Sequence, residues 1–248
     1  MAQGPTYRVK FRRRREGKTN YYRRRRLLQS RLPRLVVRKT NTKTIVQFIN
    51  ASVVGDTTIA SAISSELTNH GWVAGTGNLP SAYLTGLLAG LRAKARGVNG
   101  AVLDVGLNPP VKGSRIYAAM KGALDAGLQI PHSPDVMPDD SRISGEHIVA
   151  SFEHFGTDSN MFSDLGQKKT SITTIPKKFA TVKKNIEGIP AAELKKSKKR
   201  KAPAKKAVKP KKPEKEMPSV KPPRAVPRKP KPKKLISRTK GKKGKRKT

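Results

Sequence analysis

The sequence predicts an α/β fold: a compact domain with a mixed β-sheet, an antiparallel meander followed by a βαβα run, with packed helices and basic extended arms on both sides. Three observations predict it. Charge is segregated: residues 1–38 hold 14 basic and one acidic side chain, residues 39–165 hold 9 and 11, and residues 166–248 hold 32 and 4. The near-neutral middle is long enough to bury a core of its own. Within it, apolar residues recur first at every second position and later at helical spacing, with glycine and asparagine marking the changes.

Leu35, Val36 and Val37 make Arg34 to Lys39 a short buried strand, and Thr40, Asn41 and Thr42 turn the chain. Thr44 to Asn50 alternates, with Ile45, Gln47 and Ile49 on one face and Val46 and Phe48 on the other. After a second turn at Gly55 and Asp56, Thr57 to Ser64 completes the meander, although its alanines and serines also suit a helix. A helix near 79–96 follows, with Asn78 as cap, Pro80 in the first turn, and an apolar stripe of Leu79, Tyr83, Leu84, Leu87, Leu88, Leu91 and Ala95. Gly86 and Gly90 weaken that helix unless another backbone packs against them. Arg92, Lys94 and Arg96 suit the negative end of the helix dipole, and Gly97 ends the element. Ala101 to Val105 is a short buried strand. Ser114 caps a second helix carrying Ile116, Ala119, Met120, Ala123 and Leu124, which Gly127 stops. This order implies helices packed on a mixed sheet through a right-handed crossover. Residues 137–154 add a last short helix.

Composition excludes several classes. With no cysteine there is no disulfide, thiolate metal site or cysteine nucleophile. No stretch reaches the roughly 18–20 apolar residues of a membrane span. The basic start has no apolar run behind it, so a secretory signal is not expected and a cytoplasmic location is. A formal charge of +39 calls for a polyanionic partner.

The histidines (His70, His132, His147 and His154) lack the convergent spacing of a zinc site and read as surface or packing residues. Asp104 interrupts an apolar strand but has no base or nucleophile motif beside it. The preferred reading is a strand-end carboxylate that accepts N–H bonds from the next loop, and an enzyme built on Asp104 and His132 is the weaker rival. Gly75-Thr76-Gly77-Asn78 is too short for a dinucleotide loop. Lys112 and Arg115 flank a helix start without forming a Walker motif. Those two cations suit a phosphate at free N–H groups, and an ordinary capped helix with a solvated basic rim explains them equally well.

The amino-terminal arm carries the strongest functional signal. Arg12, Arg13, Arg14 and Arg15 form one arginine run and Arg23, Arg24, Arg25 and Arg26 a second, with Arg8, Lys10, Lys18, Arg31, Arg34 and Arg38 around them. Tyr7, Phe11, Tyr21 and Tyr22 are interleaved, and Asn20 caps a short helix running to about Ser30, which Pro33 ends. Cations for the backbone and rings for unpaired bases are the means by which RNA loops and bulges are bound. A second reading, suggested by the Lys/Pro/Ala-rich end, is a chromatin-like DNA-compacting protein.

Six blocks then resemble one family. They are YRVKFRRRREGKTNYY at 7–22, PRLVVR at 33–38, GTGNLPSAYLTG at 75–86, VLDVGL at 102–107, GSRIYAAMKGA at 113–123 and DAGLQIPH at 125–132. Together they look like the large-subunit ribosomal protein eighteen family, the 5S-rRNA-binding proteins, in its archaeal style, over roughly residues 5 to 155. The resemblance implies a structural, non-enzymatic role in the central protuberance of the large ribosomal subunit, without cofactor, membrane or small-molecule substrate. The implied partners are 5S rRNA, large-subunit rRNA and neighbouring ribosomal proteins. It also implies RNA contacts from Tyr7 through Arg38, Asn20 among them, and from Lys112 and Arg115. The expected organisation is an RNA-binding arm at 1–33, a core domain at 34–155, a partly structured basic segment at 156–184 and a disordered tail at 185–248. No motif of the family matches that tail.

Overall fold

The computed structural model describes residues 4–155 and 172–195. Its sheet has four strands: β1 (Arg34–Lys39), β2 (Thr44–Ala51), β3 (Asp56–Ile63) and β4 (Val102–Asp104). The spatial order is β3-β2-β1-β4. β1 is antiparallel to β2, β2 is antiparallel to β3, and β1 is parallel to β4. This is the expected mixed α/β sheet, with β4 shorter than 101–105 and an irregularity where Phe48 and Ile49 meet β3. Leu35, Val37, Val46, Phe48, Ala60 and Ala62 point into the helix-covered core. Arg38, Gln47 and Thr58 line the opposite face, beside Arg13, Tyr21 and Arg24 of the arm.

The helices begin with α1 (Arg12–Arg15) and α2 (Tyr21–Leu28) in the arm. Helix α3 (Leu79–Ala95) is buried almost all round, and α4 (Arg115–Asp125) lies against it. Asn78 caps α3 by accepting from the Ser81 N–H at 2.9 Å. The glycine spacing has its predicted cause. A Cβ at Gly86 would sit 2.0 Å from the Ala119 carbonyl oxygen, and one at Gly122 would sit 2.2 Å from that of Tyr83. The two backbones therefore meet where neither can carry a side chain, and van der Waals contact offsets the lost propensity.

Two local expectations change. Ser114 stands at the start of α4, but its buried hydroxyl makes no capping bond and has no partner. The single helix expected at 137–154 is two, α5 (Asp140–Ser144) and α6 (Glu146–Phe155), broken at Gly145, whose φ of 95° lies in the left-handed region.

The carboxyl-terminal boundaries also move. Helix α7 (Ile175–Glu187) crosses the limit expected at 185, and α8 (Ala191–Lys195) lies beyond it. Ile175, Phe179, Val182 and Ile186 recur at helical spacing and are buried in the same core as α3, as is Leu194 of α8. The Phe179 ring lies 5.5 Å from that of Tyr83. The core is thus completed by residues after 155. Apolar side chains on one face of a lysine-rich helix bury as well as any others. The remainder of the proposed 156–184 segment before 172, and the tail from 196, lie outside the described residues.

Arginines of α3 reach β3 rather than simply facing the helix end. Arg92 donates to the Ser61 carbonyl at 2.7 Å and pairs with Glu66 at 2.7 Å. Arg96 donates to the Ile59 carbonyl and, at 3.3 Å, to that of Lys195.

Two outcomes test this packing. Gly86→Ala should destabilise the protein by about 1–3 kcal/mol in urea unfolding, because the methyl meets the α4 backbone. In an exposed helix the same change would stabilise by up to ~1 kcal/mol. Phe179→Ala should cost about 3 kcal/mol if α7 belongs to the core, and nearly nothing if it is an appendage.

Candidate nucleic-acid interface

Four alternating charges fasten the arm to the sheet. Arg24 of α2 meets Asp56 with two parallel bonds, Nη1 to Oδ2 at 2.7 Å and Nη2 to Oδ1 at 2.6 Å. Arg34 donates to Asp56 Oδ2 at 2.8 Å and to Asp104 Oδ2 at 2.7 Å. The Arg34 side chain is only 4% exposed. Its Nε is also buried and has no partner. Asp104 Oδ1 accepts the Gly106 N–H at 3.0 Å, the strand-end role expected of it. The fork of Arg24 holds the Asp56 carboxyl below its ordinary value of 3.8 and raises the arginine's own pKa.

Asn20 starts α2 as foreseen, its side chain accepting from the Tyr22 and Arg23 N–H groups. The helix ends at Leu28, two residues short of Ser30. Arg31 follows at φ 56°, a left-handed conformation uncommon for a residue with a side chain. Arg23 reaches the Gly106 carbonyl at 3.4 Å. In the first turn of the arm, Arg13 donates through Nε to Thr19 at 2.9 Å, and Glu16 pairs with Lys18 at 2.8 Å. Phe11 and Tyr21 pack edge to face with centroids 5.2 Å apart.

Between the arm and this face of the sheet runs a groove of about 970 Å³. Arg13, Lys18, Arg23, Arg24, Arg34 and Arg38 contribute cations to its lining, against the two carboxylates Asp56 and Asp104. Arg8, Lys10, Arg12, Arg13, Arg14, Arg15, Lys18, Arg23, Arg25, Arg26, Arg31 and Arg38 are exposed, as are Tyr7, Phe11 and Tyr22. Chemically this is a surface for a polyanion: a positive groove with rings on its approach.

Some residues expected to contact RNA are occupied elsewhere. Arg34 is sealed in the sheet and its charge is spent on two carboxylates. Arg24 is half-buried in the same network, and Asn20 serves as a helix cap. Arg115 donates to the carbonyls of Gly77 at 2.6 Å and Thr40 at 3.0 Å, joining α4 to two loops. Lys112 remains exposed. The glycine loop is likewise structural: Thr76 donates to the Thr42 carbonyl at 2.6 Å, and a Cβ on Gly77 would lie 2.4 Å from the Asn41 oxygen. Sequence reasoning missed Asp56, Gln47 and Thr58 as parts of the groove. Asp56 was visible as the lone acid of the meander, but its partner stands 32 positions away.

The enzymatic rival loses its footing. Asp104 is held by Arg34, and Nδ1 of His132 lies 2.7 Å from the Ile130 carbonyl oxygen of its own loop. Burial pushes the His147 pKa down, with Arg142 adding to it. Among the described residues, no cluster of His, Asp and Glu fit for a metal occurs, and no helix is long and apolar enough to cross a membrane.

A family model described as ribosomal large subunit proteins 60S L5 and 50S L18 matches residues 5–99 and 92–133. The chain is 52% identical over 192 residues to the large ribosomal subunit protein uL18 of Korarchaeum cryptofilum, covering 76% of this chain and 98% of that protein. It is 47% identical over 189 residues to uL18 of Methanobrevibacter smithii, with 75% and 98% covered. It is 57% identical over 148 residues to uL18 of Methanothrix thermoacetophila, with 60% and 88% covered.

Acid should release the arm before the core. Because the Asp56 pKa is lowered on folding, its contribution is complete above the ordinary value of 3.8 and is lost as pH falls through the depressed one. Backbone amide resonances of residues 21–28, and of Arg34 which shares the carboxylate, should shift in that range while those of β2 hold. Asp56→Asn should abolish the transition.

Proposed function

This chain belongs to the family of ribosomal large-subunit proteins 60S L5 and 50S L18, and on that premise we propose that it binds 5S rRNA and helps attach it to large-subunit rRNA in the central protuberance. The protein is a structural constituent of the large ribosomal subunit and not an enzyme. In the proposed complex the folded domain is a platform. The exposed arginines of α1 and α2 take backbone phosphates, and Tyr7, Phe11 and Tyr22 offer rings to unstacked bases. Neighbouring ribosomal proteins are the further partners we assign to it.

One observation carries this reading: Arg13, Lys18, Arg23 and Arg38 line one groove over the sheet together with Tyr21, on which the exposed Phe11 ring packs. Phosphate contacts then supply most of the affinity, while RNA shape and unpaired bases supply specificity. Arg34 drops out of the contacting set because its guanidinium is buried and paired. Arg115 contributes mainly by holding the loops beneath Lys112.

Binding of the full chain to 5S rRNA should weaken steeply as salt rises. Deleting residues 1–30 should lower affinity by about 100-fold or more and flatten the slope of log K against log salt. Removing one phosphate-contacting arginine, as in Arg14→Gln, should reduce that slope by about 1. Competition with duplex DNA separates the DNA-compacting alternative: equal affinity for both polymers at physiological salt favours it over the 5S rRNA reading.

A further inference from the structure

Resting on the reading of this face as an RNA interface, we propose that Asp56 is a positioning residue for RNA binding: its carboxylate pins α2 to the sheet, so that an acidic side chain strengthens a polycation's grip on a polyanion.

Asp56 is the only acidic residue between Lys39 and Ser65, and it borders the cationic groove. On electrostatic grounds alone it is misplaced there, since a carboxylate repels nearby phosphates. Its geometry supplies the reason for it. Helix α2 has eight residues and buries none of them fully. A helix that short is marginal by itself, and its four consecutive arginines repel one another and the cations around them. Beside the half-buried Tyr21, Leu27 and Leu28, two polar links on its inner side hold it to the domain: the fork from Arg24 to Asp56 and the weaker bond from Arg23 to the Gly106 carbonyl. Asp56 is in turn fixed by Arg34, which is buried and cannot swing away. With α2 pinned, Arg25 and Arg26 keep a defined direction before RNA arrives, and less ordering entropy is lost on binding.

The two effects predict opposite signs. If Asp56 acts only as a charge, Asp56→Asn tightens RNA binding. If it positions α2, the same change weakens binding by about tenfold, the scale of a few newly mobile side chains that must be ordered again. The experiment measures 5S rRNA affinity of the full-length protein and backbone amide exchange of the free protein in parallel. We expect weaker binding by Asp56→Asn and faster exchange at residues 21–28, with a further change only near Arg34, whose pair with Asp56 is also broken. Arg24→Gln, which leaves the Arg34 pairs intact, serves if Asp56→Asn loses its fold. It should cost several-fold more affinity than Arg25→Gln, although each removes one charge. Asparagine binding as tightly as aspartate or tighter, or unchanged exchange in α2, overturns the proposal. If the wild-type protein does not prefer 5S rRNA, the functional reading above fails instead, and the exchange data still decide whether Asp56 pins the helix.

Discussion

Arg34 carries a full positive charge into a place that water hardly reaches, and Asp56 and Asp104 make that tolerable. Burying an ion is expensive, and the expense is recovered only where geometry and remaining hydrogen bonds are good. Arginine suits the task because its planar fork can face two carboxylates at once without losing its proton. Those carboxylates stand on β3 and β4, the two outer strands of the sheet, while Arg34 begins β1. One guanidinium therefore links both margins of the sheet across the face that borders the groove. The arm helix is tied to this link, with Tyr21, Leu27 and Leu28 half-buried beside it, so the order of the functional surface leans on a charge that water hardly reaches.

The arginines of this protein divide by environment rather than by position in the chain. Arg34, Arg92, Arg96 and Arg115 spend their hydrogen bonds on carboxylates and backbone carbonyls of the domain. Arg12, Arg14, Arg15, Arg25 and Arg26 remain exposed. Composition identifies a cationic protein and cannot sort one group from the other. Position in the arm made Arg34 look like an RNA contact, whereas its register opposite Ile49 and Val102 places it inside the sheet. Sorting needed the fold, because every partner involved is distant in sequence.

What could be read from the residues alone follows the same logic. The meander, the cap at Asn78 and the close approach implied by Gly86 were legible because each depends on a local pattern with a single physical cause. Ser114 had the right residue type in the right place, but its hydroxyl turned away from the capping bond. The place of helix α7 in the core escaped for a different reason. Its apolar stripe at 175, 179, 182 and 186 is regular, yet the lysines between left most of it legible only as a partly structured basic segment ending at 184. Periodicity was the better guide there, since a core needs one apolar face and is indifferent to the charge of the other.

The side chains of Arg92 and Arg96 on the β3 carbonyls have a consequence for the life of the protein before assembly. An outer strand with free backbone acceptors can template a second strand, and that is a route to aggregation. Here the acceptors at Ile59 and Ser61 are already engaged by the neighbouring helix. A newly made copy waiting for its RNA thus offers other chains a poor seam for zippering on that flank, and its associations are steered toward polyanions instead.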